Sequence, residues 1–486
     1  MKKAHWGYLI VAMIIAVPLF GNLDRLPLLE WDESRLATNS LEMLGGSRNL
    51  LVPTFGGVPD MWNCKPPFLI WIQALSMKAF GINELALRLP SAVAASILCL
   101  FLFWSVGLKL RKPVLAIIAC AVLVTSEGYV STHGTRTADY DSMLTLFTTM
   151  YGMLFFLFFE ERKLKYLYAA FACLGLGVLT KGVAAMFFTP AIFMYALVSQ
   201  KRRSIFRSRH LYIGASLFLM VSLGYYLLRE HYNPGYLKAV YDNELGGRFA
   251  KVNEDHVGPW DYYLEFMISW RFNFWIYTLP FGVIAGARSK SPTIQKLTLY
   301  TSLLVLFFFT VISTAKTKLD WYDMPMYPWL SLIVGFFIYA VYQYLLVAAG
   351  RLKDAKWLAP LSFLVFVFIV PYRAIYHSIV NPAIDFWSVE NMNMGYMLKD
   401  AKDKKINIDG YKLVWDDYAP NLEWYLMAYD GRVWVSHLRS DQIQTQTKSG
   451  DKIAIFKTGT RRHVEAQDYP LKPVDSYHGV IIYQVY

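Results

Sequence analysis

Charge is scarce in this chain. Asp, Glu, Lys and Arg make up 17% of its 486 residues, where soluble domains carry about 25%. Cysteine is scarcer. Cys64, Cys99, Cys120 and Cys173 are the whole set, and the last three lie inside apolar runs. No metal-type cysteine spacing is present, and no disulfide framework is suggested. A glycine-rich dinucleotide loop, a Walker motif and an HExxH helix are all missing, so neither nucleotide hydrolysis nor a zinc peptidase is expected. There is no long low-complexity tract and no short internal repeat.

What is abundant is apolar surface: 55% of the residues are hydrophobic, and the mean hydropathy is +0.31. A membrane-spanning helix needs about 20 mostly apolar residues, and about 11 runs meet that description. They fall near 6–21, 87–108, 113–130, 140–159, 165–180, 182–199, 210–228, 263–286, 298–314, 325–347 and 357–375. The turn around Thr180 is very short for two separate spans. The first run follows Lys2 and Lys3 like a signal peptide, and the many later spans favour a retained anchor. The expected fold class is therefore membrane all-α, a polytopic bundle over residues 1–376. Residues 377–486 then form a small α/β domain outside the membrane.

The net charge of +12 fits topology rather than nucleic acid. Basic clusters occupy alternate loops: Lys109, Arg111 and Lys112; Arg162, Lys163 and Lys165; Lys201, Arg202, Arg203, Arg207 and Arg209; Arg288, Lys290 and Lys296; Arg351, Lys353 and Lys356. Loops rich in Lys and Arg stay in the cytoplasm. This places the N-terminus inside and the tail outside, in the periplasm if the membrane is a bacterial inner membrane. In the tail, Ser388–Lys402 and Asn421–Tyr429 have helical spacing. Short β-type runs cover Tyr411–Trp415, Arg432–Val435, Lys452–Phe456 and Val480–Val485.

The outer loops, 22–86, 131–139, 229–262 and 315–324, hold the chemistry-bearing residues. The first contains Glu30-Trp31-Asp32-Glu33-Ser34-Arg35, three carboxylates beside a span, where charge is costly unless used. It continues to Lys65-Pro66-Pro67, whose prolines extend the backbone before an apolar, interfacial helix. The second ends in Asp139-Tyr140-Asp141, where the bland reading is helix N-capping. The third carries Arg248-Phe249 and His256, a ligand or acid–base candidate. A single loop histidine is more often merely solvated. The fourth has Lys316, Lys318 and Tyr322; two lysines on the outer face want an anionic partner. Acids and bases on one face suit a reaction between a lipid-linked phosphate and an acceptor. The cations would neutralise a phosphate leaving group, and a carboxylate would take the acceptor's proton.

In order along the chain, these motifs resemble the polytopic GT-C glycosyltransferases, in the branch of protein O-mannosyltransferases and lipid A aminoarabinose transferases. Asp32-Glu33-Ser34-Arg35 matches that family's Asp-Glu-x-Arg, and Cys64-Lys65-Pro66 its Glu-Lys-Pro. Asp141-Ser142-Met143-Leu144 matches its second-loop Asp, and Thr180-Lys181-Gly182 its Thr-Lys-Gly turn. Arg248-Phe249 with His256 to Tyr263, and Lys316-Thr317-Lys318-Leu319 with Tyr322 and Pro325, match two more. Cys64 is a departure, standing where the family often has Glu; in the aminoarabinose branch that Glu and the loop His are associated with a metal.

The resemblance implies a GT-C fold and inverting transfer of a sugar from polyprenyl (undecaprenyl) phosphate to a lipid, glycan or protein acceptor. It implies Asp32 as general base, with Asp141 orienting or supporting it. Glu33, Arg35, Lys65, Asp139, Arg248, His256, Lys318 and Tyr322 would bind substrate. No cofactor is required by the motifs; a divalent metal, with His256 as ligand, is the one candidate. The expected partners are the polyprenyl-phosphate sugar, its acceptor and membrane lipids, with no nucleic acid. The competing class is a flippase for lipid-linked sugars, which would bury charges at the bilayer midplane rather than gather them in outer loops.

Overall fold

The computed structural model describes residues 2–486 apart from 47–48, 200–201, 250–251, 253–255, 352–354, 356, 383–385 and 468; for 2–4, 202, 245, 248–249, 351 and 386–388 it describes the backbone alone. The apolar runs all fold as helix. Among the described residues, seven helices are long and apolar enough to cross a membrane: Glu84–Lys109, Tyr140–Glu161, Leu164–Met186, Arg209–Tyr232, Pro292–Thr314, Asp320–Ala348 and Leu358–Val380. The runs expected at 6–21, 113–130, 182–199 and 263–286 contain the shorter apolar helices His5–Phe20, Pro113–Val124, Thr189–Val198 and Ile276–Ala287.

Burial separates the centre of the bundle from its rim. The Tyr140–Glu161 helix is 94% buried along its apolar window, against 22% for Arg209–Tyr232 and 17% for Leu358–Val380. The last two turn Leu217, Met220, Leu227, Phe366 and Ile369 outward. An apolar outer surface costs nothing when the solvent is hydrocarbon. Leu164–Lys181 packs along the central helix, and Gly177 leaves room for the turn that follows Lys181, since a Cβ there would sit 3.1 Å from Ala185.

The 263–286 run is not one span. It forms Tyr262–Arg271, breaks at Phe272–Trp275, and resumes as Ile276–Ala287. The break follows from Arg271, a fully buried guanidinium. It bonds Asp323 at 2.8 Å, Asp320 at 3.0 Å and the Gly128 carbonyl at 3.0 Å, and so pins the segment to the 315–324 loop and to the short Glu127–Val130 helix. Phe68–Phe80 is the expected short apolar helix after Pro66-Pro67.

Beyond Val380 the chain makes a five-stranded sheet. A small hairpin in the first outer loop supplies β1 (Thr54–Phe55) and β2 (Val58–Pro59). The sheet itself is β3 (Lys412–Val414), β4 (Ser436–Leu438), β5 (Lys452–Ile455), β6 (Leu471–Tyr477) and β7 (Val480–Val485), in the order β4-β3-β5-β7-β6. β3 runs parallel to β4 and β5; β7 runs antiparallel to β5 and β6. Helices Phe386–Lys402, Pro420–Ala428 and Thr458–Ala466 complete the unit.

Two details differ from the sequence reading. The strand expected at Arg432–Val435 begins at Ser436, because Gly431 at φ 71° holds a turn there. β6, which carries Pro473 and an exposed run, has no apolar alternation to betray it and sits at the sheet edge, where proline is tolerated.

The tail docks on the first outer loop through buried polar bonds. Tyr425 Oη donates to Glu84 at 2.7 Å and accepts from the Leu28 amide at 2.9 Å, and Lys399 pairs with Glu84 at 3.0 Å. Gly395 lets the Phe386–Lys402 helix lie against Pro27, which a Cβ would approach to 2.7 Å.

Candidate functional site

The first outer loop turns sharply into the Asp32–Leu44 helix at Trp31, whose φ is 67°. Asp32 and Glu33 occupy the first helical turn, where carboxylates complement the helix dipole. Their surroundings differ. Asp32 is exposed. Glu33 is fully buried and its oxygens are taken: Arg88 bonds both at 2.6 and 2.7 Å, and the Leu29 and Ala138 amides complete the set. Arg88 also donates to the carbonyls of Leu23, Leu26 and Pro27.

Arg35 grips Asp60 at 2.9 and 2.7 Å and reaches Tyr418 of the tail at 3.1 Å. Burial pushes the Asp60 carboxyl upward, but the Arg35 guanidinium and the Asn63 amide outweigh that and hold it below its ordinary range. Glu33 and Arg35 were expected to bind substrate. Here their bonds build the loop that presents Asp32.

Asp141 lies one residue into the central helix and meets Lys181, which ends the neighbouring one. Lys181 Nζ is 2.6 and 2.7 Å from the two Asp141 oxygens, and both groups are buried. The chain leaves Lys181 through Gly182 at φ 56°, where a Cβ would lie 2.9 Å from the Tyr226 hydroxyl. Lys181 also sits 5.1 Å from the Tyr322 ring. Lys65 pairs with Glu244 at 3.3 Å and lies 5.6 Å from the Tyr140 ring. Lys65, Asp141, Lys181, Glu244 and Tyr322 together form the polar end of a cleft whose other walls are apolar, among them Leu144, Phe187, Phe308 and Ile312. A long greasy wall leading to paired lysines suits an amphiphile with an anionic head.

On the other side of Asp32 stands His133. Its φ is 58° and its ring stacks on Trp321 at 3.7 Å. Nδ1 is 3.1 Å from Asp139 Oδ2, which also accepts from the Thr137 hydroxyl at 2.6 Å. Asp139 is thus no side-chain helix cap. Burial opposes the charged imidazolium, yet Asp139, with Asp32 and Asp320 nearby, raises the His133 pKa from 6.5 to about 9. Beyond His133 and Trp321 opens a polar cavity of about 640 Å³, lined among others by Arg25, Arg136, Trp270 and His377. Asp32 is close enough to act electrostatically on His133, Asp141 and Lys181 alike. Asp141 and Lys181 line the apolar cleft and His133 lines the polar cavity, so Asp32 is within electrostatic reach of both.

The remaining expected residues fall elsewhere. Lys318 folds back on its own loop, donating to the Ala315 carbonyl, and burial lowers its pKa; Thr317 and Tyr322 line the cleft in its stead. His256 is exposed, and its carbonyl accepts from the Lys318 amide at 3.1 Å. The side chain of Arg248 lies outside the described residues. Cys64 is buried, with its thiol donating to the Met61 carbonyl. Among the described residues, no group of three at ligand spacing includes Cys64 or His256; the one such group is Asp32, His133 and Asp139. Sequence reasoning missed Arg88, Asp60 and His133 as partners, and saw Lys181 only as part of a turn. A solitary lysine between two apolar runs was the available signal.

Comparison with known proteins supports the motif reading. The family of dolichyl-phosphate-mannose-protein mannosyltransferases matches residues 64–226. An undecaprenyl phosphate-alpha-4-amino-4-deoxy-L-arabinose arabinosyl transferase of Edwardsiella ictaluri is 28% identical over 348 residues, 70% of this chain and 60% of that one. The protein of the same description from Aeromonas salmonicida is 30% identical over 352 residues, 69% and 60%. The chain therefore spans about three fifths of the length of these curated relatives.

Among solved structures, ArnT from Cupriavidus metallidurans bound to undecaprenyl phosphate superposes with a TM-score of 0.70 at 16% identity, covering 99% of this chain and 98% of that one. An oligosaccharyltransferase from Archaeoglobus fulgidus gives 0.57 at 10% identity, covering 88% and 64%. The resemblance to the mannosyltransferase and aminoarabinose transferase branch is borne out, the fold is the GT-C fold, and the chain is a multi-pass membrane protein.

Proposed function

We propose that this protein is an inverting glycosyltransferase that moves a sugar from a polyprenyl phosphate to an acceptor at the outer face of a bacterial inner membrane. The observation that carries the proposal is the cleft: apolar walls ending in two buried lysines, Lys65 and Lys181, with Asp32 within electrostatic reach of Lys181. The polyprenyl chain lies along the walls. The phosphate takes up the lysines, displacing the Lys65 contact to Glu244, with the Tyr322 ring beside Lys181. The relatives described as undecaprenyl-phosphate arabinosyl transferases support that donor class.

The acceptor enters from the polar cavity beyond His133. Asp32 removes the proton of its hydroxyl as the oxygen attacks the anomeric carbon. The new C–O bond forms on the face opposite the breaking bond to phosphate, so the configuration inverts. The electron pair leaves with the polyprenyl phosphate, whose charge Lys65 and Lys181 stabilise. Asp141 acts by holding Lys181. Basic loops on the opposite face support a cytoplasmic N-terminus and, with it, a periplasmic position for residues 377–486. The alternative of a lipid-sugar flippase draws no support from the placement of Asp141 and Lys181 at helix ends.

The test is reconstitution in proteoliposomes with a panel of radiolabelled polyprenyl-phosphate sugars and a membrane and cell-wall extract as acceptor. Transfer of label to an acceptor is the expected result. Label that crosses the bilayer without transfer would replace the enzyme by a flippase.

A further inference from the structure

We infer that Asp32, His133 and Asp139 form a divalent-cation site beside the polar cavity that His133 lines. One ligand atom from each residue lies within 4.8 Å of the other two. Nitrogen and oxygen ligands of a small divalent cation sit roughly 2.0–2.2 Å from the metal, so two of them around one ion are separated by roughly 3–4 Å. The His133–Asp139 separation of 3.1 Å already falls in that range. Asp32 is exposed, and its side chain has the freedom to close the remaining distance.

Two further observations point to a ligand rather than to a bare ion pair. First, Asp139 is 2% exposed, and its Oδ1 is buried without a hydrogen-bond partner among the described residues. A carboxylate oxygen stripped of water and left unpaired is costly; a cation removes that cost. Second, the cluster is supported from outside, as metal ligands are. The Thr137 hydroxyl donates to Asp139 Oδ2 at 2.6 Å, and the His133 ring is clamped against Trp321.

Two carboxylates and an imidazole suit a first-row cation such as Zn²⁺, Mn²⁺ or Co²⁺, and they leave coordination positions open. The set is distinct from Cys64 and His256, and it stands whether or not the glycosyltransferase reading holds, because its test counts metal and not turnover.

The full chain, purified in detergent and stripped with chelator, is dialysed against Zn²⁺, Mn²⁺ or Co²⁺ in turn, and bound metal is counted by mass spectrometry. Co²⁺ absorption gives the coordination. One equivalent is expected for the wild type. Asp139→Asn and His133→Gln should weaken binding by at least about tenfold, while Cys64→Ser and His256→Ala bind as the wild type does. Because Asp139 is buried, Asp32→Asn serves as the second ligand variant should Asp139→Asn fail to fold. Absence of stoichiometric metal in the wild type overturns the inference, as does metal that survives His133→Gln and Asp32→Asn.

Discussion

Lys181 and Asp141 share two hydrogen bonds, at 2.6 and 2.7 Å, across the junction of the two most tightly packed membrane helices. The pair places a permanent cation at the polar end of an otherwise greasy cleft. Its cost is desolvation of two charges, which their mutual attraction roughly offsets, so removing one partner is far worse than removing both. Lys181→Met should cost about 3–5 kcal/mol by stranding Asp141. Lys181→Met combined with Asp141→Asn should recover most of that stability while leaving the cleft without its cation. Melting curves in detergent, alongside binding of undecaprenyl phosphate, check both halves. Equal stability of the single and double variants would mean that the pair is not coupled.

Lys65 should be needed for the donor rather than for the fold. Its partner Glu244 is partly exposed, so its loss strands no deeply buried charge. Lys65→Gln should weaken binding of the lipid phosphate about tenfold to a hundredfold, the value of a hydrogen bond to a charged group. Titration of the purified protein with undecaprenyl phosphate measures this. The melting temperature should move little.

Most of the membrane architecture was legible in the sequence because hydrocarbon imposes a simple rule: apolar runs become helices. The rule failed at 263–286, where Arg271 interrupts the apolar run and is buried against Asp320 and Asp323. Hydropathy does not reveal that a charge has a partner some 50 residues away. The site was legible as a set of motifs but not as a set of roles. Asp32 and Glu33 are adjacent and chemically alike, yet one is exposed and the other is locked to Arg88 by a helix phase that only the fold sets. Likewise, the motifs point to Lys318 as a substrate-binding lysine and show Lys181 only as part of a turn. The cleft takes Lys181 because Gly182 ends its helix there, whereas Lys318 turns back on its own loop.

The tail and the first outer loop should separate in acid. Arg35 joins Asp60 to Tyr418, and Asp60 titrates below its ordinary 3.8. A lowered carboxyl pKa contributes stability that is complete above the unfolded value and is lost as the pH falls through the folded one. Asp60→Asn should therefore cost about 3 kcal/mol near neutrality, and this penalty should shrink as the pH falls below about 4. Limited proteolysis of residues 386–486 as a function of pH, in wild type and variant, reads the contact. A penalty that grows in acid would contradict the assignment.

The most direct test of the account is a single turnover by Asp32→Asn with enzyme in excess over a radiolabelled polyprenyl-phosphate sugar that the wild type uses. Asp32 is exposed and outside the scaffold built by Glu33, Arg88, Arg35 and Asp60, so the variant should fold and bind donor as the wild type does. Transfer should fall by about 10²–10⁴-fold, the worth of a positioned base. Transfer at the wild-type rate, with donor bound normally, would remove Asp32 from the chemistry and with it the central claim.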